Sequence, residues 1–435
     1  MLPRAAIDML TSLVLTAAAL VQPAPLHPSR SDDGPPSFVV VLLDDVGVDK
    51  VALYGESPVP ANTPGLERLA ARGMTFRNAW SMATCSPTRA SLLTGRYPDR
   101  NGVGTVIRPS DGVDTPLSRD QITIPGALPG HTSVALGKWH LNDTGDIAVQ
   151  SRLMGFDAFV GWSAVNNYFT WTENLNGALT TKSGYFPAAL ARYAKRTLDQ
   201  LERPHFVYYC PFLAHSPYHT PPAELHPNST PGDSNFEQHR QMVESIDTLL
   251  GRVLDSVDLS NTYLFVLSDN GSPNPCVRPP FYPGKVKGSL YEGSVHVPFF
   301  AAGPGITPGS ECERLVQVTD IMATILELAG APAPAGFGED SISFAPLLAD
   351  PTRDHERAFL YATTFGFPGS SNTVSHRRAI RTERYKLIDF VDDGRQELYD
   401  LSVDPFENVN RLGFNPAPAD LLMRDRLLAM MPTFR

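Results

Sequence analysis

Four apolar runs along the chain end in the same way, each handing over to charged or amide side chains. Ser37-Phe-Val-Val-Val-Leu-Leu43 stops at Asp44-Asp45, and the run 131–136 (HTSVAL) stops just before Lys138 and His140. The run 205–214 (HFVYYCPFLA) stops at His215, and the run 261–268 (NTYLFVLS) stops at Asp269-Asn270. Each run is apolar at odd and even positions alike, which fits strands buried on both faces of a mostly parallel sheet. The segments 187–202 (PAALARYAKRTLDQLE) and 241–257 (QMVESIDTLLGRVLDSV) carry apolar residues at helical spacing and predict the covering helices. Ligands of open α/β sheets sit beyond the carboxyl ends of the strands, so the four polar endings predict one site assembled from distant sequence.

Beyond Leu348 the pattern changes. A charged, Pro-bearing connector (349–357) leads to 359–365, 378–390 and 397–401, which alternate like half-buried antiparallel strands, and 419–430 closes as an amphipathic helix. The expected organisation is a large α/β domain over 36–348 and a small α+β subdomain over 356–435. The basic residues between His376 and Lys386 read as exposed alternate positions on a strand. Stretches 166–185 and 272–282, rich in aromatics and prolines respectively, read as loops that shape a pocket.

Length and charge narrow the partners. A chain of 435 residues exceeds one typical core, which agrees with two units. The net charge of -10 argues against a nucleic-acid partner and leaves any anion binding to local positive charge. Residues 1–25, with Arg4, an apolar run from Met9 to Val21 and small residues near Ala24, read as a secretory signal peptide of an exported protein, periplasmic or secreted. The run is too short to span a bilayer, and no later stretch is long enough to be a transmembrane anchor. Of four cysteines, Cys210 reads as a buried strand residue, while Cys276 and Cys312 read as loop residues able to pair in an oxidising compartment.

Asp44, Asp45, Asp269 and Asn270 offer only hard oxygen donors, a set that suits Ca²⁺ first and Mg²⁺ second. Either pair alone would read as a helix cap or a turn; it is their joint occurrence at like strand ends that points to a cation. Cys85-Ser86-Pro87-Thr88-Arg89, continuing ASLLTGR to Arg96, places a sulfur at a helix start. Ser86 is expected to cap the orphan amides, Pro87 to take the first helical position, Gly95 to stop the helix, and Arg89 to share a face with Cys85.

This string closely resembles the signature of the type I sulfatases, C-x-P-x-R followed by a leucine pair and TGR, in the alkaline phosphatase superfamily. The resemblance extends over the chain after the leader, through Lys138 and His140 in GKWHL, His215 in AHSP, Lys287 in KGSLYEG and RYKLI in the C-terminal part. It implies an alkaline phosphatase-like fold, a mostly parallel sheet sandwiched by helices. It also implies conversion of Cys85 to formylglycine by a formylglycine-generating enzyme, and hydrolysis of a sulfate ester of a small molecule or sugar. Asp44, Asp45, Asp269, Asn270 and the modified position 85 would hold the cation. Arg89 would stand as a permanent cation beside the modified position 85, Lys138 and Lys287 would hold the sulfate, His215 with Lys287 would protonate the leaving group, and His140 would take a proton so that sulfate departs. Two positions depart from the pattern: Asn142 stands where glycine is usual, and His296 where arginine is usual. A phosphoester hydrolase of the same superfamily, or a noncatalytic sulfate or glycan binder with Cys85 unconverted, remain the other readings.

Overall fold

The computed structural model describes residues 34–108, 117–142, 147–163, 167–227, 229, 232–334, 340–367 and 374–434; the leader expected over 1–25 lies outside them. Ten strands form one sheet: β1 (Ser37–Leu43), β2 (Met74–Trp80), β3 (Thr132–Lys138), β4 (Ala158–Trp162), β5 (Thr170–Leu175), β6 (Ala178–Ser183), β7 (His205–Cys210), β8 (Thr262–Ser268), β9 (Phe299–Ala302) and β10 (Ser310–Gln317). Their order is β10-β2-β9-β8-β1-β7-β3-β4-β5-β6. The centre, β8-β1-β7-β3-β4, is parallel throughout, and β9, β5 and β6 run antiparallel to their neighbours.

Period-two packing explains why β1 is apolar at every position. Phe38, Val40 and Leu42 enter one core with Leu92, Leu93, Ile321 and Ile325, whereas Val39, Val41 and Leu43 enter the opposite core with Leu190, Leu198, Met242 and Val243. Helices Cys85–Thr94 and Asp320–Leu328 therefore cover one face, and helices Phe186–Gln200 and Asn235–Leu254 cover the other. The expected helices are present, as is the mixed sheet sandwiched between them.

At the C-terminal end, β11 (Leu360–Thr364), β12 (Arg377–Arg381), β13 (Tyr385–Phe390) and β14 (Arg395–Asp400) form an antiparallel sheet in sequential order, with helix Pro418–Met430 against β13. The basic residues of β12 and β13 correct the expectation of exposed alternation. Lys386 is buried and lies 3.0 Å from Glu292 and 2.8 Å from Glu407, and Arg381 lies 2.5 Å from Glu292. These cations face inward because buried carboxylates from distant sequence await them, and an unpaired charge at that depth would be costly.

Three further expectations change. Residues 170–183 form the β5–β6 hairpin that ends the sheet, closed by Asn176 and Gly177 at φ 51° and 100°. Asn-Gly between alternating segments is the usual signal for such a turn, and the left-handed backbone explains the choice of residues. Cys276 and Cys312 are both buried free thiols, one against the Asn235 carbonyl and the other against that of Pro351, so they do not pair. Cys312 sits within β10 and Cys276 within a short 3-10 turn, each fixed by its own packing. Cys210 is buried in β7 as expected.

Candidate active site

Cys85 begins its helix directly, with Thr84 at the cap position and no side-chain cap bond. Ser86 therefore lies inside the first turn, where its hydroxyl accepts from the Ile107 amide at 3.2 Å, and Pro87 falls two residues beyond the first helical position. Gly95 ends the helix at φ 63°, in the left-handed conformation expected of it. Burial pushes the Cys85 thiol above its ordinary pKa despite the nearby Lys138 and Lys287. The helix start thus does not make it a thiolate, and as a plain thiol it would be a poor nucleophile.

The endings of β1 and β8 are tied together. The Asp45 amide donates to Asp269 Oδ1 at 3.1 Å, the Val46 amide to Ser268 Oγ at 3.1 Å, and the Gly47 amide to Ser272 Oγ at 3.3 Å. Ser272 in turn donates to Asp49 at 2.6 Å, and His239 Nε2 lies 2.9 Å from the Asp45 carbonyl. Thr88, one turn into the helix, donates to the Asp269 carbonyl at 2.6 Å. Ser268, Ser272, Thr88 and His239 escaped the sequence reading because they act through backbone groups, which leave no spacing to detect.

These ties bring the expected residues to one place. Donor atoms of Asp44, Cys85 and Asp269 all lie within 4.8 Å of one another, and the same holds for Asp44, Asp45 and His215. Lys138 Nζ donates to both oxygens of Asp44, at 3.0 and 2.8 Å, and Lys287 Nζ to Asp45 at 2.5 Å. Arg89 spans Asp269 and the Lys138 carbonyl, at 2.9 Å each. Asn270 donates to Asp45 at 2.7 Å, leaving its buried Oδ1 without a hydrogen-bond partner among the described residues. Lys287 is delivered by a loop whose amides bond to the Ser272 and Ala83 carbonyls.

Electrostatics follow from burial and this pairing. Burial would raise the Asp45 carboxyl, but Lys287, His215 and Lys138 hold it well below its usual range. Burial and the neighbouring Asp44 raise Asp269 despite Arg89. Lys287 stays protonated because Asp45 outweighs the cost of burying its ammonium. His215 is pushed down to about 4 by burial and then by Lys138, and His140 falls well below its ordinary value by burial, Lys138 and Arg89. Both imidazoles are therefore neutral near pH 7. His140 takes an unusual φ of 54°, and its Nδ1 has no hydrogen-bond partner among the described residues.

His296 and Asn142, the two departures from the signature, are placed outside this set. His296 lies 3.5 Å from Glu56 and 4.0 Å from Glu292, and its Nε2 donates to the Arg77 carbonyl at 2.8 Å. Asn142 is buried, with its carbonyl accepting from Ser163 at 3.0 Å.

A buried cluster of carboxylates and fixed cations at the carboxyl ends of a sandwiched parallel sheet fits a ligand site of the alkaline phosphatase-like fold that the solved neighbours share. Within that fold the chain belongs to the sulfatase family, whose model matches residues 36–331, and is a sulfuric ester hydrolase. A second model, N-sulphoglucosamine sulphohydrolase, C-terminal, matches residues 286–427. Human arylsulfatase A is 28% identical over 87% of this chain and 84% of its own. The N-acetylgalactosamine-6-sulfatase of Canis lupus familiaris is 30% identical over 72% of this chain and 66% of its own. A protein solved in complex with its substrate D-glucosamine-2-N,6-O-disulfate shares the fold with a TM-score of 0.74, at 20% identity over 91% of this chain and 97% of its own. Among the described residues no helix is long and apolar enough to cross a membrane.

Proposed function

We propose that the chain hydrolyses a sugar sulfate ester through a formylglycine formed from Cys85, with Asp44, Asp45, Asp269 and Asn270 holding a divalent cation. The observation that carries this reading is the convergence of Asp44 and Asp269 on Cys85, within 4.8 Å, from three separate elements. The sugar class is supported by the relatives named for N-acetylgalactosamine-6-sulfate and solved with a sulfated glucosamine.

The donor set fits a hard cation. Three carboxylates meet Arg89, Lys138 and Lys287, so the cluster is already balanced, and the buried Asn270 Oδ1 is an oxygen donor without a partner. A divalent ion would make the site net positive, as binding of an anionic ester requires, and all-oxygen ligands favour Ca²⁺ over Mg²⁺ at an irregular site. It would supply charge neutralisation at the sulfate oxygens. Formylglycine, hydrated, would supply a hydroxyl that takes up the sulfuryl group and a second hydroxyl whose deprotonation returns the carbonyl.

The remaining work falls to side chains. Arg89 fixes Asp269 and the end of β3, and so holds the geometry around position 85. Lys138 and Lys287, which pair with Asp44 and Asp45, would hold sulfate oxygens with those carboxylates engaged by the cation. Lys287 beside His215 faces the departing oxygen and passes it a proton. His140, neutral and with Nδ1 unengaged, accepts the proton whose removal expels sulfate. The leader 1–25 makes the protein exported, and the units 36–348 and 356–435 are a catalytic domain and a subdomain that closes it. Maturation requires a formylglycine-generating enzyme.

Mass analysis of the tryptic peptide containing Cys85, together with rates on 4-nitrophenyl sulfate and 4-nitrophenyl phosphate, tests the reading. An aldehyde mass and a faster sulfate rate are expected. A thiol mass in active protein, or a faster phosphate rate, would overturn it.

A further inference from the structure

The outer edge of the sheet carries a feature that the hydrolytic site does not use. Hairpin β5–β6 and helix Phe186–Gln200 enclose a cavity of about 270 Å³, lined by Trp171, Glu173, Lys182, Arg192, Tyr193 and Arg196. Arg192 and Arg196 stand one turn apart on the same face of the helix, where like charges repel, and both are exposed. Neither guanidinium has a hydrogen bond or ion pair among the described residues. Lys195 of the same helix, by contrast, binds Asp199 at 2.9 Å and Ser256 at 2.8 Å, so unpaired charge is not a general property of this surface. Lys182, across the cavity, has only Glu173 at 3.7 Å.

Two aromatic rings complete the lining. Trp171 is 8% exposed, stacks on Phe186 with ring centroids 4.8 Å apart, and its Nε1–H has no hydrogen-bond partner among the described residues. A buried indole donor without an acceptor is rare unless something else supplies one. Two unpaired guanidiniums, a lysine balanced by Glu173, a rigid ring and a spare donor leave the cavity net positive, the chemistry that recognises a sugar bearing sulfate or carboxylate groups.

The cavity also lies on the element that borders the catalytic histidine. The helix begins at Phe186, next to Tyr185, whose hydroxyl lies 3.1 Å from His219; that ring packs on Tyr168, which donates to the His215 carbonyl at 2.6 Å. At 1.5 Å per residue, Arg192 and Arg196 stand about 10 and 16 Å along the helix from Tyr185. We propose that this cavity binds an anionic residue of a sulfated oligosaccharide, several sugar units away from the ester being cleaved, so that the enzyme acts on chains and not only on single sugars. This rests on the sulfated-sugar reading of the hydrolytic site but is read out separately from it.

The test uses the full chain. Binding of a sulfated galactan hexasaccharide to the Cys85→Ala protein, in which no turnover can occur, is measured by titration calorimetry with and without R192Q/R196Q. The double variant should weaken binding at least tenfold and leave the thermal transition unchanged. With Cys85 present, it should raise KM for the hexasaccharide and leave turnover of 4-nitrophenyl sulfate unaltered. R192K/R196K should retain most of the binding, because charge is kept. Equal binding by parent and R192Q/R196Q would overturn the proposal. So would complete displacement of the hexasaccharide by inorganic sulfate at the same anion concentration, since the cavity would then be a plain anion site. Failure of the parent to hydrolyse 4-nitrophenyl sulfate would count against the hydrolytic reading and leave the binding comparison intact.

Discussion

Two of the buried clusters of opposite charges among the described residues have been put to different uses. Around Cys85, Asp44, Asp45 and Asp269 meet Arg89, Lys138 and Lys287; under the C-terminal sheet, Glu292 and Glu407 meet Arg381 and Lys386. The chemistry of the pairs is the same, so pairing alone does not mark a site. The access of one lysine in each does. Lys386 has no exposed side-chain surface, whereas Lys287 keeps 18% and His215 is partly exposed beside it; the other members do not follow this order, Arg381 and Glu292 being 8% exposed and Arg89 and Lys138 0% and 1%. Both clusters leave buried polar atoms without a hydrogen-bond partner among the described residues, Asn270 Oδ1 and His140 Nδ1 in the first and Arg381 Nε in the second; those of the first are an oxygen and an imidazole nitrogen able to take a cation or a proton. The second also joins backbone to side chain, the Glu292 amide donating to Glu407 at 2.5 Å, and so ties the helix Glu292–Val295 to the segment after β14. By its lysine the first cluster is open and the second closed.

The sharpest break of this contrast is Cys85→Ala. It should reduce 4-nitrophenyl sulfate turnover by about 10³-fold or more, because the nucleophile is gone, and shift the denaturant midpoint little. A variant that stays active would show that position 85 is not where the ester is attacked. Next comes a matched pair of lysines. Lys386→Met leaves Glu292 and Glu407 facing a weaker set of partners and should cost about 3–5 kcal/mol in urea unfolding, with specific activity retained by the molecules still folded. Lys287→Met should add to a loss of stability, from the buried Asp45 left with fewer partners, a fall of about 10²–10³ in turnover of the folded molecules, on the scale of one oxyanion donor. If both lysines moved stability alone, the two clusters would not differ in kind.

The open cluster was legible in the sequence and the closed one was not, for a physical reason. Asp44, Asp45, Asp269 and Asn270 each follow an apolar strand directly, so the strand itself announces where the side chain is delivered. Arg381 and Lys386 sit in alternating strands whose faces are set by what packs on them, and their partners lie where no periodic pattern exists, Glu292 opening a four-residue helix and Glu407 in a loop. A reading by period alone sent them to solvent. The Asn-Gly turn of the β5–β6 hairpin was visible in the text but was submerged in an aromatic-rich stretch taken as loop. The cysteine pairing failed because the separation of Cys276 from Cys312 is a property of packing, which their spacing does not encode.

Chelation separates the clusters more gently. A cation bound only by the folded open cluster stabilises the chain by about 2.7 kcal/mol when free ion is 100 times its dissociation constant. Removing it should lower the melting temperature and suppress turnover together, and Ca²⁺ should restore both better than Mg²⁺. An unchanged melting temperature and unchanged rate would remove the cation from the open cluster.

The smallest effect is in pH, where the clusters should part by only a few-fold in rate or a small change in stability. His215 titrates near 4 and His140 lower than an ordinary histidine, both through burial and neighbouring cations, so their neutral forms are present above those values and are lost as pH falls through them. A bound divalent ion adds positive charge and moves both in the same direction. The acid limb of kcat/KM should therefore lie well below the ordinary histidine value of about 6.5, and rates at pH 5.5 should stay within a few-fold of those at pH 7. Glu292 in the closed cluster is held below its usual range by Arg381 and Lys386 against the cost of burial. A depressed carboxyl contributes stability that is complete above its unfolded value and is withdrawn as pH falls through the folded one. Stability from this pair should thus persist at pH 5.5 too, and Glu292→Gln should flatten the loss seen on going to pH 3. A rate that halves near pH 6.5 in protein whose urea midpoint has not moved would mean either that a histidine of the open cluster is far more solvated than its burial implies or that Asp269, raised by burial and Asp44, takes up a proton there, which Ca²⁺ titration of the acid limb distinguishes. In the first case the open cluster would admit water as well as substrate, and the distinction between the two clusters would be one of hydration as much as of access.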